Sequence, residues 1–247
     1  MLKLVEGLIG KKCTKSLLVD LDYKDVPCLL LAVSKALSLG IIAGSALVKL
    51  PQIFKLLQSG STEGMSFLAC LLETLSCSIN FAYNYRSGNP FITYGETLFL
   101  TLQNLVIVGL VGLFRKQGMQ LALLVGVYAI LMSGLVYPDL YPIDGVWLNY
   151  LQVATIPISA ASRLPQIMKI WSSGRTGQLS IITVFMTALG SMARLFTTLN
   201  ETGHDQLLLV GYGTSALLNA IIALQMVWYW QSSSNKKVKG PAKKKRS

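Results

Sequence analysis

Lys49-Leu50-Pro51-Gln52-Ile53-Phe54-Lys55 is echoed 114 positions later by Arg163-Leu164-Pro165-Gln166-Ile167-Met168-Lys169. Aligned without gaps, residues 49–66 match residues 163–180 at nine of eighteen positions, including the Pro-Gln pair and the following Ser-Gly. Such self-similarity marks an internal duplication. Each copy has an apolar run, a basic residue, Pro-Gln, a second basic residue, a Ser/Gly/Thr turn and a new apolar run. Proline inside a helix removes a donor and bends the axis, so each copy predicts a helical hairpin whose first member is kinked.

Composition says where these helices live. The 247 residues are 52% hydrophobic and 13% charged, with a mean hydropathy of +0.53. Ordinary soluble domains are about 25% charged, so the chain is expected to be a polytopic membrane protein. The net charge of +11 does not point to nucleic acid, because seven of the 22 basic residues sit in the last twelve positions as a tail. Cys13, Cys28, Cys70 and Cys77 have no metal-ligand spacing and His204 is alone. No metal or cofactor site is expected, and the cysteines read as unpaired thiols packed among helices. No nucleophile-and-base arrangement or nucleotide loop is visible, which argues against an enzyme.

About twenty apolar residues cross the ~30 Å hydrocarbon layer. Seven stretches approach that length: 36–57, 66–85, 94–114, 119–137, 147–171, 179–199 and 207–230. Residues 1–35 form an interfacial lead-in, without the uninterrupted apolar core of a cleavable signal peptide, and Pro27 is placed to open a helix running toward the first span. Residues 36–114 hold the first three-helix repeat, 115–146 a linker helix with its loops, 147–230 the second repeat and 231–247 a basic tail. Three spans invert the chain, so two repeats of like orientation need one extra span between them. The expected class is therefore all-α, with seven transmembrane helices arranged 3+1+3. With the tail in the cytosol, Lys55, Arg115, Lys116, Lys169 and Arg175 fall on the same side, and the amino terminus is lumenal. Its six lysines among the first 35 residues go against the charge rule and are partly offset by four acids.

Pro51 and Pro165 should deprive the carbonyls of Leu47 and Ala161 of helical partners, with Gln52, Gln166 or cavity water as replacement donors. The alternative is a packing kink alone, aided by Gly40-x-x-x-Gly44 and Ser159-Ala160-Ala161-Ser162. Charges in the spans are a stronger functional signal, since one at the bilayer centre costs ~2.5 to 3.5 kcal/mol on insertion scales. Lys49 and Arg163 occupy equivalent positions, and Glu73, Glu96 and Arg194 lie on other helices; snorkelling is the alternative reading for Glu96, near a span end, and for Lys49. Two cations at equivalent positions suit an anionic group such as phosphate, with the carboxylates pairing them in the empty state. Asn104 and Asn219 pair the third and seventh spans weakly, and an Asn in a helix bundle ordinarily serves interhelical hydrogen bonding.

The doubled Pro-Gln, its flanking basic residues and the Ser/Thr-Gly turn resemble the PQ-loop repeat membrane proteins, relatives of SWEET carriers, cystinosin-type transporters and the KDEL receptor. Within that family, residues 49–53, 176–185, 190–197 and 201–203 are similar to a branch required for the use of dolichol-phosphate-mannose and dolichol-phosphate-glucose. From Pro27 onward, the resemblance implies an endoplasmic reticulum protein that is not itself a glycosyltransferase, serving N-glycan, GPI-anchor and protein mannosylation pathways. Its implied partners are these lipid-linked sugars and membrane lipid. Three modes of action follow: a flippase, scramblase or presenting chaperone for the lipid-linked sugar; a carrier of soluble sugar or amino acid; or a scaffold organising lumenal glycosyltransferases. SWEET carriers have hinge prolines in the second and sixth spans, and residues 66–85 and 179–199 have none, which argues against sugar-type alternating access. Asn104 and Asn219 stand where the resemblance to SWEET carriers implies a sugar-contacting asparagine pair, and so join the candidate binding set, with interhelical hydrogen bonding as the alternative. Lys244 and Lys245 match a dilysine retrieval pattern, with a tail that merely fixes topology as the alternative. Asn200-Glu201-Thr202 is a glycosylation sequon that abuts the sixth span and is expected to remain largely unmodified.

Overall fold

The computed structural model describes residues 2–62, 66–116, 118–137, 144–174, 181–202 and 205–237, with side chains described from 5 to 229 except 181–183. The elements are α1 (Leu2–Thr14), a π-helical turn (Lys15–Val19), α2 (Val26–Val48), α3 (Leu50–Ser59), α4 (Phe67–Arg86), α5 (Phe91–Phe114), α6 (Gly118–Val136), α7 (Gly145–Ser173), α8 (Ile181–Glu201) and α9 (Gln206–Lys237). The protein is all-helical across the described residues. Val26–Ser59, Phe91–Phe114, Gly118–Val136 and Gln206–Tyr229 are each long and apolar enough to cross a membrane on length and composition alone. The remaining long helices, α4, α7 and α8, carry the charges Glu73, Arg163 and Arg194.

The first span begins earlier than its apolar run. Asp25 caps α2 by accepting from the Cys28 N–H at 3.2 Å, and Pro27 sits in the first turn, where its missing N–H costs nothing. The helix that the sequence places at 36–57 is therefore two helices over 26–59, separated at Lys49. Ahead of it, α1 and the π-helical turn fold back on α2, and Ile9, Leu17 and Cys28 are buried together. Cys13 and Cys28 are joined in a disulfide, Cα to Cα 5.1 Å, which corrects the reading of four unpaired thiols. A separation of 15 residues has no motif to announce it. Only the reversal of the chain between the π-helical turn and α2 brings the two sulfurs together. Cys70 and Cys77 are free.

The chain divides into two compact units: residues 1–155 with 196–207, and residues 156–195 with 208–247. In the first unit α5 is the central helix, packed on α2, α3, α4 and α6. Its Ile107 and Val111 bury against Leu56 of α3. Gly112 lets α6 approach: a Cβ there would come within 2.9 Å of the Leu121 side chain. At Gly40 and Gly44, expected to support close packing, an added Cβ would meet nothing within 4 Å among the described residues. Small polar residues fill that role on α2, where Ser34, Ser38 and Ser45 are buried. The second unit has its own core of Ile170, Val184, Ala188, Ile222, Ala223 and Met226. Leu123, Val125, Ile130 and Leu131 on α6 are largely exposed, as a helix facing lipid would be.

The disulfide is directly checkable. Denatured protein treated with a polyethylene-glycol maleimide should gain two adducts without reductant and four after reduction. Four adducts before reduction would contradict the pairing.

Candidate functional site

In the first unit the site is organised around the break at Lys49. An unbroken helix would send the Lys49 N–H to the Ser45 carbonyl. Here it donates to Gln103 Oε1 at 3.0 Å and also reaches the Leu47 carbonyl. Gln103 Nε2 in turn donates to Ser45 O at 2.8 Å and to Phe99 O at 3.1 Å. One buried amide from α5 thus satisfies both ends of the missing bond, as a membrane interior demands. Gln52, expected as a donor to the Leu47 carbonyl, is exposed beside an exposed Pro51; that carbonyl is met by the Lys49 N–H, while Gln103 serves the Ser45 carbonyl. With its backbone fixed this way, Lys49 directs Nζ to Glu73 Oε1 on α4 in an ion pair. The lysine side chain is 16% exposed and the glutamate 49%. Asn104 is buried on α5 and makes only a weak contact, Nδ2 to Cys77 Sγ at 3.9 Å.

The largest polar cluster of this unit centres on a residue the sequence places in a loop. Glu201 ends α8 with its side chain fully buried. Its Oε1 accepts from Ser34 Oγ and Ser38 Oγ, both at 3.0 Å, and lies 3.7 Å from Lys35 Nζ; Oε2 accepts from Thr93 Oγ1 at 3.2 Å. Nearby in sequence, Asp205 Oδ2 accepts from Tyr83 Oη at 2.9 Å. The end of α8 and the start of α9 are thereby stitched to α2, α4 and α5. Asn200 of the sequon lies within the last turn of α8 and donates to Phe196 O at 2.8 Å, a helical conformation at odds with an extended acceptor loop.

The second unit treats the repeated motif differently. Here α7 continues through Pro157 and Pro165 without a break in the helix. Pro165 is exposed and Gln166 half-buried. Arg163 is half-buried, and neutral groups hold it: Nε donates to Asn219 Oδ1 at 2.9 Å, and Nη1 to Ser159 Oγ at 2.9 Å and Ser159 O at 3.2 Å. Two sequence-predicted residues, Arg163 and Asn219, are therefore in direct contact, and Lys49 and Glu73 form the other such pair. Arg163 has no carboxylate partner among the described residues. Arg194 is buried, with its guanidinium 5.7 Å from the centre of the Tyr212 ring. Lys244, Lys245 and residues 175–180 lie outside the described residues.

The PQ loop repeat family model matches residues 33–93 and 147–203. Both copies of the duplicated Pro-Gln motif fall within the matched residues. Over 196 residues it is 27% identical to solute carrier family 66 member 3 of Homo sapiens, covering 78% of this chain and 90% of that protein. Its fold is that of a eukaryotic SWEET transporter, with a TM-score of 0.62 at 18% identity, covering 82% of this chain and 97% of the transporter.

Breaking a buried ion pair by removing one partner costs ~3 to 5 kcal/mol. Glu201→Ala, which also strands three hydroxyls, should markedly lower the thermal stability of the purified protein. Glu201→Gln, which keeps an acceptor, should lower it much less. Equal melting temperatures for wild type and Glu201→Ala would contradict the anchoring role.

Proposed function

We propose that the chain is an endoplasmic reticulum protein that handles dolichol-phosphate-linked mannose and glucose, flipping, scrambling or presenting them for N-glycan, GPI-anchor and protein mannosylation. The observation that carries this reading is the state of Arg163. Neutral acceptors fix the guanidinium, Nη2 donates to no described residue, and among the described residues no carboxylate neutralises the charge. A planar cation held in advance and left without a counter-charge suits a phosphate, which it binds through two parallel hydrogen bonds. Lys49 is already compensated by Glu73, so it is the lesser phosphate ligand and must exchange partners to act. The similarity of residues 49–53, 176–185, 190–197 and 201–203 to the mannose-P-dolichol utilization defect 1 protein supplies the lipid-linked sugar.

The seven helices are read as 3+1+3, with α6 as the inversion helix. The amino terminus is placed in the lumen, where the Cys13–Cys28 disulfide finds an oxidising compartment. An odd number of spans then puts the basic tail, with Lys244 and Lys245 as a retrieval signal, in the cytosol. Organisation of lumenal glycosyltransferases is compatible with this placement. A second reading, a carrier of soluble sugars or amino acids, is favoured by the SWEET-like fold. It is disfavoured by the absence of proline from α4 and α8.

Hydrogen bonds to charged groups contribute about 1.5 to 3 kcal/mol, or roughly tenfold to a hundredfold in affinity. In cells lacking the endogenous protein, Arg163→Gln should therefore fail to restore full-length lipid-linked oligosaccharide. Lys49→Gln should restore it partly, and Pro51→Ala and Pro165→Ala should fall between, at matched abundance. Full restoration by a well-expressed Lys49→Gln/Arg163→Gln double variant would remove the phosphate role.

A further inference from the structure

Within the first unit, α4, α5 and α6 enclose an apolar furrow. A cavity of about 410 Å³ is lined by Leu71 and Leu75 of α4, Leu105 and Val108 of α5, and Leu124 and Leu131 of α6. A second cavity, of about 190 Å³, shares Leu121 and Leu124 with the first and continues it toward Phe67, Gly112 and Gln120. Two glycines of α5 shape the slot. The helices close at Gly112, where a Cβ would meet the Leu121 side chain at 2.9 Å, and part at Gly109, where it would meet nothing within 4 Å among the described residues. Gly109 itself lines the larger cavity.

The walls decide what chemistry this cavity accepts. Thr74 and Tyr128 bring its hydroxyls, and both are committed within the protein. Thr74 Oγ1 donates to Cys70 O at 2.7 Å, and Ser78 Oγ donates to Thr74 O at 2.7 Å. Tyr128 Oη lies 2.7 Å from Ser78 Oγ, and because the serine proton is already spent, the tyrosine is the donor. No hydroxyl proton is left for a ligand, so a sugar or an amino acid would find no donor for its oxygens. Water does not fill such a space either, since apolar cavities stay dry. With α5 and α6 apolar enough to cross a membrane, the surrounding medium is hydrocarbon, and a hydrocarbon chain suits the slot.

Length and charge narrow the choice of chain. From Gln120 to Leu131 the furrow follows α6 for roughly 16 Å, close to half of the ~30 Å hydrocarbon layer. At its Phe67 end stands Arg115, with the guanidinium 6.0 Å from the centre of that ring, followed by Lys116; both are exposed. We propose that the furrow holds one acyl chain of an anionic phospholipid from a single leaflet, with the lipid phosphate at Arg115 and Lys116. The chain length of one leaflet fits the slot, and the negative headgroup fits its basic end. This lipid is independent of the dolichol-linked sugars proposed above and of Arg163, which belongs to the second unit.

The test uses the full chain in phosphatidylcholine nanodiscs doped with phosphatidylinositol that carries a diazirine in one acyl chain, with adducts mapped by peptide mass spectrometry after photolysis. Wild type should be labelled on the furrow faces of α4, α5 and α6. Gly109→Leu, which fills the slot without meeting a neighbour, should lose most of that label. Arg115→Gln/Lys116→Gln should lower it about tenfold; both residues are exposed, so this variant carries the test if melting curves show Gly109→Leu to be unfolded. Gly126→Leu adds the same side chain on α6 outside the furrow, where a Cβ meets nothing within 4 Å, and should label as wild type does. Diazirine phosphatidylcholine should label the furrow far less than the inositol lipid. Equal labelling by the two lipids, or unchanged labelling of folded Gly109→Leu or of the Arg115/Lys116 variant, overturns the proposal. Displacement by unlabelled dolichyl phosphate where unlabelled phosphatidylinositol displaces nothing also overturns it, and gives the furrow to an isoprenoid chain.

Discussion

A charge in hydrocarbon must be neutralised within the protein or kept for something that enters from outside, because no water is present to solvate it. Much of this structure follows from that constraint. Lys35 sits beside Glu201 and Lys49 beside Glu73, while Arg194 faces an aromatic ring. The same rule applies to the backbone, where Gln103 satisfies the Lys49 N–H and the Ser45 carbonyl at the break in the first span. Against this background Arg163 stands out, since its neighbours orient it without cancelling its charge.

The two repeats have used one motif for two purposes. In the first, the helix breaks and a flexible lysine at the break joins a carboxylate. In the second, the helix carries its proline without breaking, and an arginine is held rigidly by Ser159 and Asn219. Lysine is a mobile point charge and arginine a planar fork, so the two positions are not chemically interchangeable. The Glu201 cluster adds a fixed point by tying the α8–α9 turn to the helices of the first repeat.

The all-helical class and the duplication were legible because hydropathy and repeat register act locally or at a fixed offset, and the cost of intramembrane charge singled out Lys49, Glu73 and Arg163 without saying which residue each meets. Tertiary repairs were not legible. Gln103 had no sequence signal beyond being an amide in an apolar run, since its task depends on α5 lying against the break in α2. Glu201 read as a loop acid because it ends an apolar stretch. The clue to it was a hydroxyl pair one turn apart, Ser34 and Ser38, with no stated partner. The Cys13–Cys28 pairing depends on a chain reversal that composition does not encode.

In the function proposed above, Arg163 is kept uncompensated to receive a lipid-linked phosphate. Native mass spectrometry of the full chain, released from nanodiscs doped with dolichyl phosphoryl mannose, measures this directly. Wild type should retain one lipid-linked sugar, and Arg163→Gln should lose it while Lys49→Gln largely keeps it. Equal retention by wild type and Arg163→Gln, or retention of none by wild type, would contradict the account.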